Sequence, residues 1–590
     1  MHPVALKRGW DIYQQKKIND ETLVSFGFGD GGGGPTREML QMYRRMEKGI
    51  PGCPRPQMRF VGDTLDSISQ KALGSGRCPK WVGELYLEYH RGTYTSIARN
   101  KKYNRRSEFL LEATETASSL ANSLTGLAYP SEELYQAWET VLLNQFHDII
   151  PGSSIKEVYD VSREQYEALL KKTGGLLNGA LGAIASQTKA GGTLVYNPTS
   201  FARSDLVEID GERVWADNIP PMGYAVVEPD KRKEKAASGQ SGMSVSAEKM
   251  ENHFFLLEIG ADGTFTRIFD KINNREVLKE GERGNVIQAF EDRPHNYDAW
   301  DINIYYGEKM WEADKVTNVK VACDTDVCAG LTITRQFLDS TIVQTIYLYR
   351  DIPRIDFDTQ VDWKQEHILL KAAFPVDVLS PKASYEIQYG SVERPTHWNT
   401  SWDTAKFEVC AHKWADLSED GYGVALLNDC KYGYDIKDGV MRLTLLKSAT
   451  NPNIDADREE HRFRYSLMPH AGSWREAGVE KQAYFINTPL RAAQAAGGGT
   501  LPQRFSLLDT GKENIVAEVV KQAYDGGGLI VRLYESFGRR TETTLSLGSA
   551  ANEVWECDLL ENNLSLMEQA GDTLSLSFRP YEIKTIRIAG

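Results

Sequence analysis

The sequence is short of several things, and each shortage narrows what the protein can do. No run of about 18 apolar residues occurs, and the start, MHPVALKRGWDIYQQKK, lacks the apolar core of a signal peptide, so no segment is expected to span a membrane. Basic residues are outnumbered, 68 Lys and Arg against 82 Asp and Glu, for a net charge of -14. Nucleic acid and anionic membranes both need basic surface, so neither is expected as a partner; neutral sugars remain compatible. Cysteine is scarce, at positions 53, 78, 323, 328, 410, 430 and 557, with no CxxC pair and an odd total. This predicts reduced, mostly buried thiols in a cytoplasmic protein. Cys323 and Cys328 lie closest, but no histidine beside them completes a metal site. The ten histidines are scattered, and no HxH, HxD or HExxH motif occurs.

Glycine is not scarce, and FGFGDGGGGPT (residues 26–36) concentrates it. A glycine-rich turn before a helix can cradle phosphate or carry a carboxylate into a crowded site. The phosphate reading fails on chemistry. A P-loop needs GxxxxGK[ST], and here the glycines run into Pro35, Thr36 and Arg37. Gly29, Gly31 and Gly34 match the GxGxxG spacing, but no βαβ unit with a closing acidic residue follows. Asp30, in their midst, would repel phosphate.

At 590 residues the chain is expected to hold three to five domains. The first ~185 residues read as helical. Pro35 and Thr36 open TREMLQMYRRMEKG; a long helix covers TYTSIARNKKYNRRSEFLLEATETASSLANSL; PSEELYQAWETVLLNQFHD puts Leu134, Trp138, Val141 and Leu142 on one face. A capping box, Ser154 with Glu157, opens the next helix. Three long helices with short loops predict a bundle. Beyond TKAGG come short strands, then a polar stretch at 230–248 expected to be a linker or mobile loop. From 250 onward, RIDFDTQVDW, LTITRQF and LSLSFRPYEIKTIRI alternate as strands of antiparallel sandwiches do. AAQAAGGGTLPQ (492–503) reads as a seam before a final sandwich.

Two further features carry candidate chemistry. In NQFHDIIPGSS (144–154), His147 and Asp148 fall where a helix should end, and helix ends can aim side chains into a cleft. One histidine alone does not hold zinc, which takes three or four ligands. The segments 290–306, 394–403 and 451–474 mix aromatics with carboxylates and amides, which fits sugar rings and hydroxyls equally with strand–loop junctions around core tryptophans. The basic run Arg99, Lys101, Lys102, Arg105, Arg106 reads as a solvated helix face.

GFGDGGGGPTREML, GELYLEYHRGTYTS, NQFHDIIPGSS, AHKWADLSE and RYSLMPHAGSW, in this order, resemble glycoside hydrolase family 38, the zinc-dependent retaining alpha-mannosidases, in their bacterial and fungal-vacuolar branch. The resemblance implies a multidomain α+β architecture: a remnant of an α/β barrel (1–66), a three-helix bundle (67–187), a small β domain and linker (188–249), a large galactose-mutarotase-like β-sandwich (250–495) and a C-terminal β-sandwich (496–590). By it, Asp30 is similar to the family's acid/base, with Glu84 as the other candidate acid. His147 is similar to a zinc ligand, and Asp148 to the aspartate that hydrogen-bonds mannose. An α-mannoside or oligosaccharide substrate, zinc and self-association are implied with it. The family's HxD zinc motif and nucleophilic aspartate, upstream of the glycine-rich loop in its members, have no counterpart here, so most of the barrel is expected to be missing and the chain alone to be inactive. The alternative expectation is a non-catalytic carbohydrate-binding or scaffold protein.

Overall fold

Thr36 begins the best-capped of the early helices, and its hydroxyl accepts the Met39 N–H at 3.2 Å, satisfying one of the donors a helix start leaves open. The computed structural model describes residues 2–209, 211–227 and 242–589, with Asp30 described for its backbone alone. It divides into two compact units, Met1–Tyr86 and Leu87–Gly590.

The first unit holds α1 (Pro3–Ile12), α2 (Arg37–Met46) and α3 (Val61–Gly74). Among its described residues there are helices and turns and no β-strand, so no closed barrel is formed.

The second unit opens with a three-helix bundle: α4 (Ala98–Thr125), α5 (Ser131–Asn144) and α6 (Lys156–Ala185). Leu111, Leu134, Ala137, Val141, Tyr166 and Leu169 form one buried core within it. Two local expectations are corrected here. Leu142 does not share the apolar face; it is 63% exposed, and Ala137 takes the inward position. The capping box at Ser154 does not form: Ile155 is the N-cap and no side chain caps α6, because the Ser154 hydroxyl donates instead to the Asp148 carbonyl at 2.7 Å.

Antiparallel sheets fill the rest, giving the mixed α+β fold the sequence implies. A six-stranded and a nine-stranded sheet make the large sandwich. Phe374 of the smaller sheet meets Phe357 and Tyr465 of the larger, with ring centroids 5.7 and 6.4 Å apart. Strict alternation puts Phe357 inward and Asp358 outward, and the strand Ile355–Asp362 shows that pattern of burial. The low-complexity stretch at 492–503 is not a loose seam: Arg491–Ala496 is a strand paired with Gly191–Tyr196. The polar stretch at 230–248 lies outside the described residues up to 241; beyond it, Ser244–Val245 pairs with Met250 and Glu251 in a five-stranded sheet.

The bundle does not stand apart from the sheets. Leu120, Leu181 and Ile184 of the helices share one buried cluster with Leu194, Tyr224, Leu533 and Ile586 of the strands.

Candidate active site

Helix α5 ends at Asn144, and the chain turns sharply through Gly152 before α6. Three contacts brace that turn through its backbone, and one of them ties it to Ser96 as well. The Asp148 carbonyl accepts from Ser154 Oγ, and the Tyr159 hydroxyl donates to the Ile149 carbonyl at 3.1 Å. The buried Lys101 ammonium donates to the carbonyls of Ile150 at 2.8 Å and Ser96 at 2.5 Å. Gly152 has φ +89°, and a Cβ there would lie 2.3 Å from the Ser96 carbonyl oxygen, so the turn sits directly on residue 96. Lys101 is dry enough there that burial pushes its ammonium down to about 7.

With the backbone pinned, two side chains point outward. His147 and Asp148 are 77% and 52% exposed, with Nε2 and Oδ2 3.4 Å apart. The imidazole also packs at a tilt against the Phe146 ring, centroids 4.3 Å apart. An imidazole and a carboxylate side by side on a braced turn can bind a cation or a sugar hydroxyl without any backbone rearrangement.

Asp30 belongs to the other unit. Its backbone forms a single 3-10 turn, Gly29–Gly31. The loop closes on itself, with the Phe28 N–H donating to the Gly33 carbonyl at 3.0 Å. Gly29 and Gly32 take φ +45° and +66°, conformations that cost an L-residue strain. The Asp30 side chain lies outside the described residues. Glu84 is half-buried in the same unit, and its carbonyl accepts from Trp81 Nε1 at 3.2 Å.

Zinc is implied by the resemblance, and the residues around His147 do not complete a site for it. Among the described residues, the group of three potential ligands found close together is Asp457, Glu459 and His461, which does not include His147. Its donors already have partners. Asp457 accepts the N–H groups of Ile97 (2.9 Å) and Ala98 (2.7 Å), capping the start of α4. Glu459 pairs with Arg99. His461 Nε2 lies 2.8 Å from the Asp457 carbonyl, an acceptor that requires the proton on that nitrogen. Burial pushes His461 down to about 3 and Asp457 up to about 6. The cluster locks a strand to a helix start.

Several sequence features turn out to be structural joints. The basic run on α4 is not a solvated face: Lys101 and Arg105 are buried and Arg106 is exposed. Arg105 stacks on Tyr432 at 4.3 Å and donates to its hydroxyl at 3.0 Å. Two of the motifs meet in space, with His470 Nε2 2.8 Å from Asp416 Oδ2 and Trp414 packed on Trp474. The HRGTYTS segment straps the sandwich, the Gly92 N–H donating to the Trp300 carbonyl at 2.7 Å and Ser96 Oγ to Ala299 O at 2.6 Å. All seven cysteines are free, but only Cys328, Cys430 and Cys557 are buried; Cys323 and Cys328 bring their sulfurs to 3.4 Å.

Four family models, all from one class of glycosidases, match the chain in order. The glycosyl hydrolases family 38 N-terminal domain matches residues 1–84, and the alpha mannosidase middle domain 88–184. The family 38 C-terminal domain matches 250–455 and the C-terminal beta sandwich domain 514–586. The chain belongs to glycosyl hydrolase family 38. It is 36% identical to Alpha-mannosidase 2C1 of Homo sapiens over 95% of its own length and 55% of the human protein. It is 32% identical to Alpha-mannosidase G of Dictyostelium discoideum, covering 96% of itself and 58% of that protein. It thus spans little more than half the length of these relatives. Its fold is similar to that of an alpha-mannosidase from Enterococcus faecalis, with a TM-score of 0.75 at 17% identity over 94% of this chain and 74% of the other.

Proposed function

We propose that these residues carry part of an α-mannoside hydrolase site, in which Asp30 is the acid/base, His147 one ligand of a catalytic zinc and Asp148 the hydrogen-bonding partner of a sugar hydroxyl. The observation that carries this is the outward-facing His147–Asp148 pair on a braced turn, in a chain with the family's domains in order. A carboxyl in the position of Asp30 would protonate the leaving oxygen and then take a proton from water.

Retaining hydrolysis needs a second carboxylate about 5 Å from the first, and zinc needs three or four ligands. The sequence offers Asp30, or Glu84 in its stead, for the acid, no counterpart of the nucleophile, and His147 alone of the zinc ligands, with no HxD motif. We therefore expect the 590 residues, purified by themselves, to turn over an aryl α-mannoside no faster than buffer, with or without added zinc. Turnover that a chelator removes, zinc restores and His147→Ala abolishes would refute the inactivity and uphold the assigned role of His147. Turnover untouched by His147→Ala would refute that role.

A second reading is favoured by exposed aromatics on the large sandwich. Trp398, Trp402, Tyr297 and Tyr305 are all solvent-facing in segments rich in carboxylates and amides, a surface suited to sugar rings. It predicts mannoside binding that survives both Asp30→Asn and His147→Ala, measured by titration calorimetry.

A further inference from the structure

A cavity of about 750 Å³ lies between α4, the outer face of the nine-stranded sheet and the segment 486–491. Strand register explains what that sheet face presents. Asp358 pairs with Arg464 and Gln360 with Arg462 across neighbouring strands. With Phe357 and Tyr465 facing the core, the alternation turns these four residues outward. Helix α4 adds Arg106 and the start of the strand Arg491–Ala496 adds Arg491.

The charges in this cavity do not balance. Five arginines and two aspartates line it; Asp358 receives the Arg464 guanidinium side-on at 2.6 and 2.8 Å, and Asp429 accepts the main-chain N–H of Arg464 at 3.0 Å. Arg105 is held by Tyr432 and Asn487. The side chains of Arg106, Arg462 and Arg491 make no hydrogen bond or ion pair with any described residue, although acidic residues outnumber basic ones in this chain. Arg491 keeps exposed surface, and partial burial together with the charge of Arg106 holds its guanidinium below its ordinary value, so these two like charges lie near each other. A guanidinium presents parallel N–H donors that match an oxyanion, and three exposed ones line this one cavity, a donor set that suits a phosphoryl group. The volume falls within the range of small-molecule sites, about 300–1,000 Å³, and exceeds what an inorganic ion fills. Thr345 and Gln360 line the same cavity and offer a hydroxyl and an amide to a polyol.

We propose that this cavity binds a phosphorylated small molecule of sugar-phosphate size, its phosphoryl group held by Arg106, Arg462 and Arg491. The site is separate from His147 and Asp148 and does not depend on the assignment made to them.

The test is calorimetric titration of the intact 590-residue chain with glucose 6-phosphate, inorganic pyrophosphate and glucose. Saturable binding of both phosphate-bearing probes, but not of glucose, is expected, weakening as salt is raised. Each of Arg106→Gln, Arg462→Gln and Arg491→Gln should lower the affinity about tenfold, and His147→Ala should not change it. Absence of saturable binding, or binding unchanged in the triple variant, overturns the proposal. Pyrophosphate binding without glucose 6-phosphate binding overturns the assigned ligand size. Thermal melting without ligand checks that the variants fold; should the triple variant fail, Arg106→Gln and Arg462→Gln, at exposed positions, decide the matter singly.

Discussion

Glu115 shows how much a single burial can set. It sits on the inner face of α4, 5% exposed, and accepts from Trp138 Nε1 at 3.0 Å. Burial outweighs that bond and pushes its carboxyl up to about 7. The sign of the effect on stability follows. Between about pH 4.5 and pH 7 the folded chain keeps a proton that the unfolded chain has released. Stability therefore falls as pH rises through that window, and the loss is complete above about pH 7. Glu115→Gln keeps an acceptor for Trp138 and removes the ionisation. It should stabilise the protein by about 2–3 kcal/mol at pH 8 and leave it unchanged near pH 4. Thermal unfolding at the two pH values measures this; equal shifts at both would show that the carboxyl does not titrate in that window.

At the scale of elements, the turn between α5 and α6 is the one that positions candidate chemistry. Gly152 has a left-handed φ and touches Ser96, whereas Gly126, at the end of α4 with φ +74°, has open space where a Cβ would go. The two glycines separate strain from collision. Gly126→Ala should cost about 1 kcal/mol, the ordinary penalty for an L-residue in that conformation. Gly152→Ala should cost about 2–4 kcal/mol, because the backbone of residue 96 must also move. It should also open the 145–154 segment to limited proteolysis. Equal melting shifts for both variants would mean that the turn is not seated on Ser96 as described. The same element shows why part of the site was hidden in the sequence. Ser154 and Glu157 have capping-box spacing, but a carbonyl six residues back competes for the hydroxyl and wins, and only the folded turn brings that carbonyl within reach.

For the whole of the larger unit, the shared cluster is the feature with consequences. Helix α4 packs on the strand Ile515–Gln522, and α6 on Arg491–Ala496. The far halves of both helices thus have part of their apolar partners in strands more than 300 residues away in sequence, beside Leu194 and Tyr224 nearer by. A chain ending at residue 503 keeps Leu194, Tyr196, Tyr224 and Ala495 of that cluster but loses Leu508, Ile515, Val531, Leu533, Leu545 and Ile586 from its strand side. At about 1.5–3 kcal/mol for each large apolar side chain exposed, that loss is comparable with the total stability of a domain, about 5–15 kcal/mol. The truncated chain should bind a hydrophobic dye and melt without a sharp transition; cooperative melting at the full-length midpoint would show that the bundle stands alone.

What the sequence determined by itself was whatever depends on near neighbours. Alternation in RIDFDTQVDW, the Thr36 cap and the long helical periods of the bundle are decided within a few residues, so they could be read directly. That a helix must end near His147 and Asp148, before Pro151 and Gly152, follows from the same logic; that both side chains face solvent rather than a cleft was decided by the fold. Tertiary structure decided what depends on distant partners. Lys101 and Arg105 look like part of a wet basic face until carbonyls and Tyr432 take them in, the last of these 327 positions away. Leu142 looks like core until the bundle turns it to water. Arg106, Arg462 and Arg491 come from three separate segments, and no local pattern marks them as a set. Burial of a long cationic side chain depends on what surrounds it in space, and the residues adjacent in sequence supply little of that.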